Sequence, residues 1–351
     1  MKNLKITFAI CILVLTASCS KDESPTPPVA ENPNQNPTNL VATVTTIAGS
    51  TQGFANGTGA AARFSRPSAI AIDASGNMYV TEFSNASTKI RKITPAGVVS
   101  TYAGNGLSSG PIDGAAADAR FVDARGLAVN AAGDVLVGEH GVNLIRKITS
   151  SGVVSTFAGQ QGILGSTNAT GTAAQFARPI GVVFDSAGNL YVADSANNKI
   201  RKIIATGVVT TLAGSGTSGT VDGSSATAQF LFPSIIAVDA SNNVYTIDGT
   251  KLRKITPNGD VSSITLSSEV SIGGIVFDAT GNLYYTDGNK VKKRTPAGIE
   301  TTIAGAATGG FADGTGANAR FETVEGIAID AAGSLYLCDG NNHKIRKITF
   351  Q

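Results

Sequence analysis

The sequence predicts an all-β chain built as a ring of six four-stranded antiparallel sheets, and three observations carry that expectation. Of 351 residues, 41 are Gly and 12 Pro, there is no Trp, and charged residues reach only 15%. A chain so rich in turn formers and so poor in charge reads as short strands joined by tight turns. An Ile-Arg-Lys-Ile-like element recurs at Ile90, Ile145, Ile200, Leu252, Val291 and Ile345, with spacings of 55, 55, 52, 39 and 54 residues, and a period of this size marks a repeat architecture. The repeating part also begins and ends out of phase, so that its two ends can complete one sheet.

Each unit follows one order. The first has Ala69-Ile70-Ala71-Ile72-Asp73, then Met78-Tyr79-Val80-Thr81-Glu82, then Lys89 with the recurrent element, then Val98-Val99-Ser100-Thr101-Tyr102-Ala103. All four segments are short, mostly β-branched or aromatic, and bounded by Gly, Pro, Asn or Asp, as strands are. Asp-x-x-Gly-Asn-like turns join the first two strands, as at Asp73-Ala74-Ser75-Gly76-Asn77. One small sheet cannot cover both its faces, so neighbouring sheets stack around an axis and bury each other. Six such units give a six-bladed β-propeller. Val44-Thr45-Thr46-Ile47-Ala48-Gly49 matches a fourth strand and the chain ends on a third strand at residues 345–350. The last blade is therefore expected to be closed by the N-terminal strand, which hides two edges.

Chain direction separates the turns into two faces. The turns between first and second strands and between third and fourth strands barely change from unit to unit, so their face is scaffold. The other connections vary, and variable loops on a rigid frame are where function concentrates. Between blades runs an Asp-Gly-x-Gly-x-x-Ala-Arg-Phe-like stretch, at residues 56–64, 113–121, 222–230 and 313–321, with a degenerate version ending at Phe176. Its few carboxylates do not form a calcium loop, and it reads as a turn plus a Phe anchor. Blade 5 lacks it, which predicts a notch in the rim. Glu82, Glu139, Asp194, Asp248, Asp287 and Asp339 end the second strands, and Arg91, Arg146, Arg201, Arg253, Lys292 and Arg346 lie in the third. A sixfold recurrence predicts a structural ion pair in each blade. Tyr79, Tyr191, Tyr245, Tyr284 and Tyr336 share one phase and read as packing residues.

Candidate site residues are those that depart from their counterparts. At the start of the innermost strand, the expected channel mouth, the six residues are Ser68, Arg125, Ile180, Ser234, Gly273 and Glu325. Arg125 and Glu325 are the only charges in this set. They are candidates to bind a polar ligand, the alternative being that they pair with each other or with solvent. Ser68, Ser234, His140 and His343 are the remaining ligand-binding candidates. Residues 83–87, the Gln160-Gln161-Gly162-Ile163-Leu164 loop and Asn341-Asn342 are further singular features of the same face.

The first forty residues have a different composition. Met1-Lys2-Asn3-Leu4-Lys5 is a positive segment, and residues 6–16 form an apolar stretch too short to span a bilayer, so residues 1–18 read as a secretory signal. Leu15-Thr16-Ala17-Ser18-Cys19 resembles a bacterial lipobox, which implies a lipidated Cys19, the alternative being an ordinary signal peptide with a chance cysteine. With Ser20 after the cysteine, the resemblance implies an outer-membrane address. Ser20-Lys21-Asp22-Glu23 is similar to an acidic surface-export signal. Residues 19–40 are rich in Pro and Asn and read as a disordered tether, leaving 41–351 as the propeller. Cys11 would be lost with the signal and Cys19 acylated, so Cys338 has no disulfide partner.

Pro-x-Gly-Ile-Ala-x-Asp, Gly-Asn-Leu-Tyr-Val-Ala-Asp and Asn-x-Ile-Arg-Lys-Ile, nearly literal across residues 179–203, resemble the NHL-repeat β-propeller family, and six phased copies extend the resemblance over residues 41–351. The resemblance implies a non-catalytic cell-surface binding or scaffold lipoprotein that presents its variable face to a protein or glycan ligand. It also leaves an alternative, a gluconolactonase-like metal-dependent hydrolase or lyase working in the central channel. Two histidines cannot build a three-His zinc site, and no cofactor is expected. Formal charge is +2, and loss of Lys2 and Lys5 balances it. Such a chain lacks the footprint of a phosphate-backbone binder, so nucleic acid is not an expected partner. The expected state is a monomer, touching the membrane only through its N-terminal lipid.

Overall fold

The computed structural model describes residues 41–82, 88–107, 110–267 and 271–351. The signal segment, Cys19, the tether and residues 83–87 lie outside the described residues. The rest forms six antiparallel sheets. Blade 1 runs from its innermost strand Pro67–Ile72 through Met78–Glu82 and Ile90–Ile93 to Val98–Ala103. The innermost strands of blades 2 to 6 are Ala124–Val129, Pro179–Phe184, Pro233–Val238, Ile275–Phe277 and Val324–Ile329. In blade 6 the fourth strand is Ala42–Ala48, paired along Lys344–Phe350 from Ala42 opposite Phe350 to Thr46 opposite Arg346. The ring is closed by the N-terminal strand, as the repeat phase predicts.

The core is six separate seams, one between each pair of neighbouring blades. Between blades 6 and 1, for example, Ala328, Tyr336, Cys338 and Ile345 meet Ile70, Met78, Val80 and Ile93. This is what stacking of two-faced sheets requires, and it leaves Cys338 fully buried with a free thiol. The aspartate of each hairpin turn explains the tyrosine phase. Asp73 Oδ1 accepts the N–H groups of Ser75 and Asn77, while its Oδ2 accepts the Tyr79 hydroxyl. Five tyrosines donate in this way to the turn aspartate six residues earlier, at 3.0–3.4 Å.

The predicted acid–base recurrence is an ion pair inside every blade: Glu82–Arg91, Glu139–Arg146, Asp194–Arg201, Asp248–Arg253, Asp287–Lys292 and Asp339–Arg346, at 2.6–3.2 Å. All of these side chains are buried, so each charge is matched where water cannot solvate it. The five arginines do more. Each also binds an Asn or Asp of the stretch leading into its own blade (Asn56, Asp113, Asn168, Asp222 or Asp313) at 2.5–3.0 Å. Each lies 5.0–5.2 Å from the ring of the Phe that ends that stretch, a cation–π contact.

The stretch between blades is therefore more than the turn and anchor read from the sequence. Gly57–Thr58, Gly114–Ala115 and Gly314–Thr315 add a fifth, outermost strand to blades 1, 2 and 6. Single bridges, Thr170 to Val208 and Gly223 to Val261, stand at the same place in blades 3 and 4. Blade 5 has no such strand among the described residues. There a lysine replaces the arginine and donates to Ser267 O. Tyr285, fully buried, takes the place of the missing Phe and donates to Glu300 Oε2 at 2.6 Å.

Candidate functional site

The innermost strands stand around the axis and leave a cavity of about 360 Å³ at the variable face. Ser68, Arg125, Ile180, Ser234, Gly273 and Glu325, the six residues predicted at the channel mouth, all line it. In five blades the first strand carries a register shift at this point, such as Pro67 opposite Glu82 but Ile70 opposite Val80. A bulge of this kind re-aims a side chain that the pleat would otherwise direct elsewhere. Below the rim, Ile70, Leu127, Val182, Ile236, Ile275 and Ile327 form a continuous aliphatic floor.

The strands approach closely because the tier just below the rim is largely glycine. A Cβ on Gly126 would stand 2.3 Å from Ile180 O, and one on Gly181 2.4 Å from Ser234 O. Only a residue without a side chain allows that backbone contact.

The two mouth charges do not pair with each other. Glu325 is bound by the Arg66 guanidinium, whose Nε and one terminal nitrogen each lie 2.9 Å from Oε1. Arg125 forms a two-pronged pair with Asp123, at 2.6 and 3.2 Å. His140 Nδ1 lies 2.8 Å from Asp123 Oδ2, the oxygen that also accepts the longer Arg125 bond. Burial pushes the Asp123 carboxyl up, but the His140 and Arg125 contacts outweigh it and bring its pKa down to about 2. Asp123 is thus the centre of a charged cluster on the blade 2 rim. Sequence reasoning missed it because it looks like an ordinary loop residue.

His343 has a distinct role. Its Nδ1 accepts the Arg66 N–H at 3.1 Å, which joins blade 6 to blade 1. At the same repeat phase Thr88 Oγ1 accepts Ala124 N–H, Asn143 Oδ1 accepts Arg178 N–H, and Asn289 Oδ1 accepts Thr323 N–H. Burial, with Lys344 nearby, lowers the His343 pKa, which favours the neutral ring that an accepting Nδ1 needs. Ser68 and Ser234 use their hydroxyls locally, against Thr81 Oγ1 at 3.0 Å and Ile247 O at 3.2 Å.

The residue that precedes each innermost strand was not singled out in the sequence. Arg66, Asp123, Arg178 and Thr323 occupy this place, and all four have left-handed backbone, with φ of 50°, 50°, 54° and 61°. Non-glycine residues adopt that conformation uncommonly, and a β-branched one is an outlier. The side-chain latches just described hold three of these backbones from the neighbouring blade.

The donor set does not suit a divalent cation. Among the described residues no three His, Cys, Asp or Glu side chains converge. Among the described residues the one carboxylate lining the cavity, Glu325, is already paired with Arg66.

Residues 176–203 match the NHL repeat family. None of the curated proteins matches this sequence. Solved structures share the fold at low identity. A protein of unknown function from Bacteroides thetaiotaomicron is 21% identical, with a TM-score of 0.66 over 89% of this chain and 76% of the other. An auxiliary nutrient binding protein from the same organism is 17% identical, with a TM-score of 0.63 over 89% and 77%. A gluconolactonase from Xanthomonas campestris is 12% identical, with a TM-score of 0.56 over 82% and 87%. At these identities the likeness shows the fold alone. With six blades around one axis, a closing N-terminal strand and the matched repeat in blade 3, the chain is a six-bladed β-propeller that carries an NHL repeat.

Proposed function

We propose that the protein is a non-catalytic binding protein that seats its ligand in the mouth of the central channel. One observation carries the reading: a concave site of about 360 Å³ with an aliphatic floor and a few polar groups at its rim, which is the make-up of ligand pockets in general. The volume suits a small molecule or the terminal group of a glycan or peptide. A nutrient binding protein and a gluconolactonase both share this fold, so the fold admits either role and the make-up of the site decides between them. The gluconolactonase-like alternative has less support, because among the described residues the channel gathers no cluster of carboxylate or histidine ligands. Cys19 lipidation would hold the propeller at the outer membrane, facing the cell surface, and Cys19→Ser would then move the protein to the soluble fraction.

Ser234→Trp tests the binding reading by filling the mouth. Across a panel of glycans, peptides and small metabolites, at least one ligand should raise the melting temperature of the natural protein and leave the variant unmoved. Ligands that stabilise both proteins alike would overturn the mouth as the site. Lactone hydrolysis by the natural protein, abolished in Glu325→Gln, would overturn the non-catalytic role.

A further inference from the structure

The joints between blades build the rim from pairs. The residue preceding each innermost strand comes from one blade, and the mouth residue comes from the blade before it. At the joint of blades 6 and 1 this pair is Arg66 and Glu325, a cation meeting an anion at 2.9 Å. At the joint of blades 2 and 3 the equivalent residues are Arg178 and Arg125. The backbone geometry is shared: Arg66 and Arg178 have φ of 50° and 54°. Their N–H groups are held by equivalent residues of the preceding blade, His343 and Asn143. One joint therefore supplies the carboxylate its arginine needs, and its counterpart sets a second arginine there instead. Arg178 is exposed and enters no ion pair among the described residues. Asp123 engages one edge of the Arg125 guanidinium, and His140 shares that carboxylate.

The next joint along the ring is apolar. Its equivalent residues are Phe232, 41% exposed, and Ile180, which lines the cavity. A cationic segment of the rim thus adjoins an apolar one, and one member of each, Arg125 and Ile180, lines the cavity together with the aliphatic floor.

We infer that the ligand is an anionic amphipath, with a carboxylate or phosphate group held by Arg178 and Arg125 where Glu325 would stand in the repeat, and an apolar body laid over Ile180, Phe232 and the floor. Guanidinium groups bind both kinds of anion through paired hydrogen bonds. The inference rests on the channel mouth being the binding site, and it specifies the ligand that site takes.

The test is calorimetric titration of the purified protein with 4-phenylbutyrate, its neutral amide and 4-phenylbutyl phosphate. Arg178→Gln and Ser234→Trp are compared with the natural chain, each first checked for an unchanged melting temperature. The carboxylate should bind about tenfold or more tightly than the amide, and Arg178→Gln should remove that preference while the amide affinity stays. A tighter phosphate ester, equally sensitive to Arg178→Gln, would support the site and assign its ligand to the phosphate esters. Equal binding of acid and amide, unchanged in Arg178→Gln but lost in Ser234→Trp, would overturn the anionic class and leave the mouth standing. Binding that survives Ser234→Trp would overturn both readings. Failure of both anions to bind at millimolar concentration would overturn the inference.

Discussion

Arg201→Met removes one of the buried guanidinium groups while keeping an apolar stem of similar length. Arg201 is fully buried and binds Asp194 Oδ2 at 2.8 Å, Gln175 O at 3.0 Å, Thr167 O at 3.2 Å and Asn168 Oδ1 at 2.8 Å. Once it is gone, Asp194 stays fully buried with only the Ala177 N–H at 2.7 Å and the Asn197 amide at 2.8 Å. Burial already pushes the Asp194 carboxyl up. Losing one partner of a buried pair costs about 3–5 kcal/mol, most of it the penalty of the stranded charge. Two carbonyls and Asn168 also lose a donor, so the expected loss lies near the upper end. In a unit of this size that lowers the melting temperature by about 8 °C or more. Adding Asp194→Asn should recover about 1–2 kcal/mol, because the neutral amide costs less to bury unpaired. Scanning calorimetry of the two variants and the natural chain decides it. An Arg201→Met protein within about 1 kcal/mol of the natural chain, or a double variant less stable than the single one, would refute the account of the pair.

Three further expectations concern the frame and the rim. Deleting residues 42–48 opens blade 6 along Lys344–Phe350, and the calorimetric transition should lose its cooperativity; an unchanged peak would contradict closure by this strand. Gly126→Ala sets a methyl group 2.3 Å from Ile180 O and should cost about 2 kcal/mol or more through separation of the inner strands, measurable by chemical denaturation. The Asp123 pKa falls from 3.8 to about 2 on folding, so its contribution to stability is present above pH 4 and is lost as pH falls toward 2. In Asp123→Asn the melting temperature should accordingly fall less steeply across that window, and parallel curves for the two proteins would exclude the effect.

Blade number, strand order and the acid–base pairs were legible because each is stated six times, and repetition separates frame from accident; closure was legible from the phase of the two ends of the repeating part. The outermost strands were not. Gly57–Thr58 is two residues of a glycine-rich segment, with no β-branched run to mark it, and it pairs only because Arg91 and Phe64 anchor the segment against blade 1. The pairing of Glu325 with Arg66 across a joint, and of Arg125 with Asp123 within blade 2, was equally hidden, since both depend on left-handed residues that re-aim their side chains. Aligning the residue just before each innermost strand (Arg66, Asp123, Arg178, Phe232 and Thr323) would have drawn attention to them. Blade 5 shows the reverse case. Its missing stretch was obvious, but its replacement by Tyr285 and Glu300 was visible only in three dimensions.

The arginine anchors define what can be duplicated. Because the segment before each blade is fastened to that blade's own third strand, the smallest self-sufficient module begins immediately after a fourth strand, as with residues 104–158, which carry blade 2 together with the segment that wraps it. A gene copied in that frame inserts a finished blade. A gene copied from innermost strand to innermost strand would instead set a blade's arginine against its neighbour's segment, Asp113 and Phe121 in place of Asn56 and Phe64 for Arg91. Engineered propellers of greater or smaller number should therefore be cut after residues such as Ala103 or Ala158.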